Sequence, residues 1–209
     1  MPEPIPREIW RDPRQKLEHH ELTGTKGLIV DAARRFMMQH GLRRLTMQGV
    51  ADVAQLSRAA VYLHYSDRDA LVEKVLEWSI INYTAMLRTA IDEHKLLSEK
   101  VVAAVAVARA AYDAGEESAW LNDIRGPLYS VESDKILVAI MNAVMPSVAA
   151  SAKSGELRQG LPIATAAEWI ARAVHSIGVS PGVTFASKDP RDVERFVRLA
   201  VIPGLVNPE

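Results

Sequence analysis

Residues 46–65 read TMQGVADVAQLSRAAVYLHY, which is the pattern of two short helices joined by a tight turn. Thr46 and Ser57 stand where a hydroxyl side chain can cap each helix. Gln55 and Leu56 form the turn between the two helices. The stretch therefore predicts a helix-turn-helix whose second helix enters a DNA groove.

The second helix has one face for its scaffold and another for a ligand. Val61 and Tyr65 are four residues apart and can anchor the helix from one side. Arg58, in the first turn, can form two hydrogen bonds to a guanine edge, and the methyl groups of Ala59 and Ala60 can touch thymine methyl groups. These side chains are expected to set the choice of DNA sequence. Phosphate contacts are expected from Thr46, Ser57, Tyr62, His64 and Arg68.

The rest of the chain has helical periodicity and no useful length of strand alternation. Apolar residues recur at helical spacing from Thr25 to Gly41, and Asp67 begins a long fourth helix. Glycine and proline separate the segments that follow. We therefore predict an all-α protein. Further helices are expected at 98–113, 116–129, 133–153, 162–178 and 190–206.

Charge is distributed unevenly along the 209 residues, whose net charge is -1. Between residues 22 and 65, six basic side chains face two acidic ones, so this stretch carries +4 and the remainder -5. The positive stretch favours DNA binding there, whereas the near-neutral total disfavours a nucleoid protein. The chain has no cysteine, and its longest apolar run, Val101–Ala108, is too short to cross a bilayer. We expect a cytoplasmic protein without a membrane partner.

The amino-terminal part of the chain resembles the DNA-binding domain of TetR-type transcriptional regulators. The similarity covers about a quarter of the chain and involves many spaced positions. The matching residues are Gly27–Phe36, Gly41, Leu45-Thr46, Val50-Ala51, Ala54, Ser57, Val61-Tyr62, His64-Tyr65 and Arg68–Leu71.

The resemblance implies an all-α homodimer with a three-helix DNA-binding domain at residues 23–67. Residues 68–209 would then form a larger helical domain that binds a small inducer and dimerises. The proline-rich arm at residues 1–22 is expected to lack regular structure. By position in the motif, the resemblance implies DNA contacts from Thr46, Arg58, Ala59, Ala60, Tyr62, Leu63, His64 and Arg68.

Three positions depart from the usual pattern of these regulators. Gln55 stands where glycine is common, and a non-glycine residue with a positive φ costs about 1 kcal/mol. Ala59 and Ala60 stand where Gly-Thr is frequent, so a hydroxyl contact to phosphate is expected to be missing. Leu63 replaces a position that is commonly polar or aromatic. The departures indicate a different operator.

The closing segments of the chain look like the dimerisation helices of some bacterial members of this family. They include Gly155–Arg158, Glu168–Arg172 and Val201–Leu205. The resemblance implies a four-helix bundle across a twofold axis, which would place two recognition helices about 34–36 Å apart on a pseudo-palindromic operator. The interface candidates are Trp169, Ala173, Ser176, Ile177, Phe196, Val197 and Ala200.

Apolar, sulfur-containing and aromatic side chains are candidates for lining an inducer cavity, although such residues at helical spacing more often form packed core. Arg109 lies in an otherwise apolar helix, where it can receive a ligand carboxylate or pair with a glutamate. The candidate lining residues are Tyr83, Met86, Leu87, Val105, Arg109, Tyr112, Trp120, Tyr129, Met141 and Met145.

The sequence contains no catalytic or metal-binding constellation. Residues 178–182 read GVSPG, but the nucleophile motif of that form follows a strand, and here it follows a helix. The histidines form no helical metal pair, so we expect neither an enzyme nor a cofactor. The expected function is a dimeric repressor that a small apolar or aromatic inducer releases from DNA. The alternatives are an activator, or a helical small-molecule-binding protein or enzyme with a vestigial DNA-binding region.

Overall fold

The computed structural model describes residues 23–115, 133–180, 182–186 and 188–207. Across these residues the chain is helical, with no strand, and the prediction of an all-α fold is confirmed. The helices are α1 Gly24–His40, α2 Met47–Ala54, α3 Arg58–His64, α4 Arg68–Asp92, α5 Leu97–Gly115, α6 Ser133–Ser154, α7 Ile163–Val179 and α8 Pro190–Ala200, with short 3-10 segments at Leu42–Arg44 and Ile202–Gly204.

Side-chain caps begin the helices of the helix-turn-helix. The Thr46 hydroxyl accepts a hydrogen bond from the Gly49 amide at 3.0 Å, and the Ser57 hydroxyl accepts one from the Ala60 amide at 3.1 Å. Both caps were predicted. At α1 the cap position is Thr23, which has extended backbone, and not Thr25 as the sequence suggested. The sequence therefore places the ends of the reading helices correctly because those ends depend on bonds spanning three residues.

The turn between α2 and α3 contains a residue in the left-handed region. Gln55 has φ 56° and ψ 40°, and its amide closes the end of α2 by donating to the carbonyls of Ala51 and Asp52. Among the described residues, no other non-glycine residue has a positive φ. The predicted cost of about 1 kcal/mol for a side chain at this position therefore applies.

The chain divides into two compact units, and α4 belongs to both. In the amino-terminal unit, whose described residues are 23–82, α1, α2, α3 and the beginning of α4 surround one apolar core. In the carboxy-terminal unit, the end of α4 and helices α5 to α8 surround a second core.

α5 is the central helix of the carboxy-terminal unit. Every residue from Val101 to Ala110 is buried, so the longest apolar run of the sequence lies inside a folded core. α6 contains a stretch, Lys135–Ser154, that is long and apolar enough to cross a membrane, with a mean hydropathy of 1.5 and 33% of the stretch buried. Length and composition alone are weak evidence for a membrane span because helices in soluble cores have the same properties.

The GVSPG stretch has a packing role in this fold. Gly178 lies in the last turn of α7, where an added Cβ would come within 2.6 Å of the Ala108 side chain on α5. Ser180 follows as the residue that ends α7. The glycine therefore permits close contact between two helices, and the loop that we predicted for the end of this stretch begins at Ser180.

Candidate nucleic-acid interface

α3 is held on its inner side by the two anchors that the sequence indicated. Val61 is buried, and Tyr65 is half-buried against the same core. Burial raises the pKa of the Tyr65 phenol above its ordinary value. The anchors fix which side of α3 faces away from the amino-terminal unit. On that side Arg58, Ala59, Tyr62 and Leu63 are exposed, while Ala60 and His64 are half-buried.

Arg58 and Tyr62 form a pair on the outer face of α3. The Arg58 Nη2 donates to the Tyr62 hydroxyl at 3.3 Å, and the guanidinium carbon lies 5.3 Å from the centre of the Tyr62 ring. A cation above an aromatic face is attracted to it. The pair therefore gives the Arg58 side chain a preferred orientation while its other N–H groups can bind a base edge.

Leu63 is the most exposed apolar residue of α3. Its side chain is 83% exposed, one turn after the exposed Ala59. Apolar side chains at this position suit contact with the methyl groups of thymine. The outer face of α3 thus combines a hydrogen-bonding pair with an apolar stripe, as major-groove recognition requires.

Thr46 and Ser57 are exposed at the beginnings of α2 and α3. Their hydroxyl oxygens accept the capping bonds, which leaves each O–H free to donate to an oxygen outside the protein. Both groups therefore have the chemistry of phosphate contacts.

Arg68 has several partners inside the protein. Its Nη2 donates to the Leu42 carbonyl at 2.8 Å, and its Nε donates to the Leu45 carbonyl at 3.2 Å. Its Nη1 donates to the Asp69 carboxylate at 2.9 Å. The structure thus attaches this side chain to the connection between α1 and α2.

Eight of the predicted inducer-lining residues lie in the carboxy-terminal unit, and Trp120 and Tyr129 lie outside the described residues. Leu87 and Val105 are fully buried in its core. Burial raises the pKa of Tyr83 well above its ordinary value. Half-buried side chains pack against the same core, namely Tyr83, Met86, Met141 and Met145, and Tyr112 is half-buried next to Arg109.

Arg109 is only 1% exposed and has a carboxylate partner in its own helix. Its Nε donates to the Asp113 carboxylate at 3.1 Å, and its Nη2 forms a second bond to the same oxygen. The guanidinium lies 4.2 Å from the centre of the Tyr112 ring, and Nη1 reaches the Ser180 carbonyl at 3.5 Å. The partner is therefore an aspartate one turn away, where the sequence had suggested a glutamate or a ligand carboxylate.

The predicted interface residues divide into two groups. On α7, Trp169 is 45% exposed and Ser176 is exposed, and Ala200 is exposed at the end of α8. Phe196 is half-buried and stacks on Phe185 at 4.5 Å. The other three, Ala173, Ile177 and Val197, are buried in the core of their own unit. Sequence reasoning missed Leu199, which is 78% exposed.

Comparison with known proteins gives matches in the amino-terminal part. Residues 29–75 match the family described as bacterial regulatory proteins, tetR family. Over 57 residues the chain is 32% identical to the HTH-type transcriptional regulator TtgR of Pseudomonas putida and, equally, to the probable regulator ArpR of that species. The matched part is 27% of this chain and 27% of each relative, so the chain spans about a quarter of the length of the curated relatives it matches.

Solved structures resemble the chain over most of its length. GusR of Salmonella enterica superposes with a TM-score of 0.66 at 16% identity, covering 88% of this chain and 98% of GusR. A TetR-family regulator from Pectobacterium atrosepticum gives 0.65 at 18% identity, covering 95% and 100%. FadR of Bacillus subtilis, in complex with stearoyl-CoA, gives 0.63 at 14% identity, covering 85% and 97%. At these identities the likeness shows the fold alone.

Proposed function

Since this chain belongs to the TetR family of bacterial regulatory proteins, we propose that it is a homodimeric transcriptional repressor released from DNA by a small apolar or aromatic inducer. Residues 23–67 would form the DNA-binding domain, and residues 68–209 the ligand-binding and dimerisation domain. The observation that carries the proposal is the outer face of α3, where Arg58, Tyr62 and Leu63 are exposed together.

Each side chain of this face has a proposed partner on the duplex. Arg58, oriented by Tyr62, would bind a guanine edge, and Ala59 with Leu63 would contact thymine methyl groups. Thr46, Ser57 and His64 would bind phosphates and fix the register of the helix. Sequence choice would therefore depend on the exposed side chains and affinity on the phosphate contacts.

The exposed apolar residues of the last two helices support a second copy of the chain as the partner. Trp169 on α7 and Leu199 on α8 are large apolar side chains with much of their surface exposed. Together with Ser176 and Ala200 they form the interface that we propose. Ala173, Ile177 and Val197 support it from inside the unit because their own contacts are in its core.

The carboxy-terminal unit is the proposed place for the inducer. Flexible methionines and the phenol of Tyr83 pack against its core and suit an apolar ligand. The FadR neighbour, whose structure contains stearoyl-CoA, supports a ligand role for this fold. α4 continues from the amino-terminal unit into this one, so a ligand that prefers a different position of α4 would shift the DNA-binding equilibrium.

Selection of duplexes and measurement of mass test the proposal together. The purified chain is incubated with fragmented genomic DNA at low salt, bound fragments are sequenced, and the mass is measured by light scattering. We expect a dimer and a recovered motif with twofold symmetry. Leu199→Glu should yield monomers with weakened binding, whereas Val183→Glu, at an exposed loop position, should leave the dimer intact. A monomeric wild type that recovers no fragment would refute the proposal.

A further inference from the structure

The first turn of α4 is hydrogen-bonded to the connection between α1 and α2 through Arg68. We propose that Arg68 is a positioning residue, which fixes this connection and the beginning of α2, and that it is not a phosphate contact. The consequence for DNA affinity rests on the proposed function, whereas the positioning itself is a property of the free protein.

The two carbonyls that Arg68 binds limit the same short segment. Leu42 begins the 3-10 turn, and Leu45 is the residue that follows it. The Leu42 carbonyl also accepts the Leu45 amide at 3.1 Å, so the turn and the guanidinium share one acceptor. Hydrogen bonds from a charged donor are stronger than those between neutral groups. Only the guanidinium fork can reach both carbonyls at once.

The segment that Arg68 holds leads directly into α2. Leu45 precedes Thr46, whose hydroxyl and carbonyl accept the first amides of that helix. Arg44, also in the segment, is exposed. Loss of the guanidinium would therefore free the turn that sets the direction of α2 and of the exposed Arg44 side chain.

The charge of Arg68 is already partly balanced within the protein. Its Nη1 forms an ion pair with Asp69 at 2.9 Å. Three of its five N–H groups are used by the two carbonyls and this carboxylate. A phosphate would therefore meet a guanidinium whose charge and donors are largely engaged, in contrast to the exposed Arg44.

Salt dependence separates a phosphate contact from a positioning residue. Binding of the wild-type protein, Arg44→Ala, Arg68→Ala and Arg68→Lys to a fluorescein-labelled duplex recovered by the wild type is measured between low and high potassium chloride. Each lost phosphate contact lowers the slope of log K against log salt by about 0.9. We expect that loss for Arg44→Ala. For Arg68→Ala and Arg68→Lys we expect an unchanged slope and affinity about tenfold lower at every salt concentration.

Amide exchange tests the positioning without DNA. In Arg68→Ala and Arg68→Lys the amides of Leu45 and Val50 should exchange about tenfold faster than in the wild type. The Leu157 amide, which donates to the Ser151 carbonyl in the other unit, should be unchanged and shows that each variant is folded.

The outcomes distinguish this inference from the proposed function. A slope reduced by about 0.9 in Arg68→Ala and restored in Arg68→Lys would identify a phosphate contact and overturn the inference. Unchanged exchange at Leu45 and Val50 would also overturn it. A wild type that binds no duplex, with the exchange accelerated in both variants, would refute the DNA-binding proposal while the positioning role stands.

Discussion

Two arginines, one in each compact unit, have the same local geometry and opposite surroundings. Arg58 lies over the ring of Tyr62, four residues on, and both are exposed. Arg109 lies over the ring of Tyr112, but it is buried and held by the Asp113 carboxylate. The exposed arginine keeps donors for an external ligand, whereas the buried one spends its donors on its own unit. The difference teaches that burial and partners, and not residue type or spacing, decide whether an arginine is available to a ligand.

The largest expected effect is at the buried pair. Asp113→Ala leaves the Arg109 guanidinium without its carboxylate, and we expect the free energy of unfolding to fall by about 3 kcal/mol. Urea unfolding followed by circular dichroism measures the change. The control is Glu168→Ala, which breaks the exposed pair with Arg172 and should cost less than about 1 kcal/mol. Equal losses in the two variants would contradict the contrast between buried and exposed arginines.

The second effect is on DNA sequence preference. Arg58→Ala should reduce discrimination between a selected duplex and the same duplex with one G·C pair exchanged by about 2 kcal/mol. Fluorescence polarisation at constant salt measures both affinities. Arg88→Ala, an exposed arginine of α4 in the other unit, serves as the control and should leave the preference unchanged. If Arg58→Ala discriminates as well as the wild type, Arg58 does not bind a base.

A smaller effect is expected at the turn of the helix-turn-helix. Gln55→Gly removes the side chain from a left-handed position and should raise the free energy of unfolding by about 1 kcal/mol. The matched control is Gln48→Gly within α2, which should lower it by about 1 kcal/mol. Thermal unfolding of both variants gives the two signs, and a destabilised Gln55→Gly would show that the Gln55 side chain contributes more than its strained backbone costs.

The smallest effect on stability is expected at Leu63. Leu63→Ser should change the free energy of unfolding by less than about 0.5 kcal/mol because the side chain is mostly exposed. Val61→Ala, on the buried side of the same helix, should cost about 2 kcal/mol. Chemical denaturation compares them. A large loss in Leu63→Ser would mean that this residue packs inside the protein and is not available to DNA.

Local features of the fold could be predicted from the sequence, and features that join distant segments could not. The caps at Thr46 and Ser57 and the anchoring role of Val61 depend on neighbours within four residues. The carbonyl partners of Arg68 are 23 and 26 residues away, and no spacing rule indicates them. The Asp113 partner of Arg109 is one helical turn away and was within reach of sequence reasoning.

The last helices show a second limit of sequence reasoning. Helical spacing groups Val197 with Phe196 and Ala200 as apolar residues, but it does not say which side meets the core of the same unit. The structure buries Val197 and leaves Leu199 exposed. In a helix with apolar residues on two sides, only the packing of its neighbours separates a core side from a free one.

The exposed leucine of α3 has a thermodynamic consequence. In the free protein, water covers the Leu63 side chain, and a thymine methyl group would displace that water. Removal of apolar surface from water lowers the heat capacity and involves no release of counterions. Part of the binding free energy would therefore persist at salt concentrations that abolish the attraction of the arginines for phosphate, and calorimetry at several temperatures would reveal it as a negative heat-capacity change.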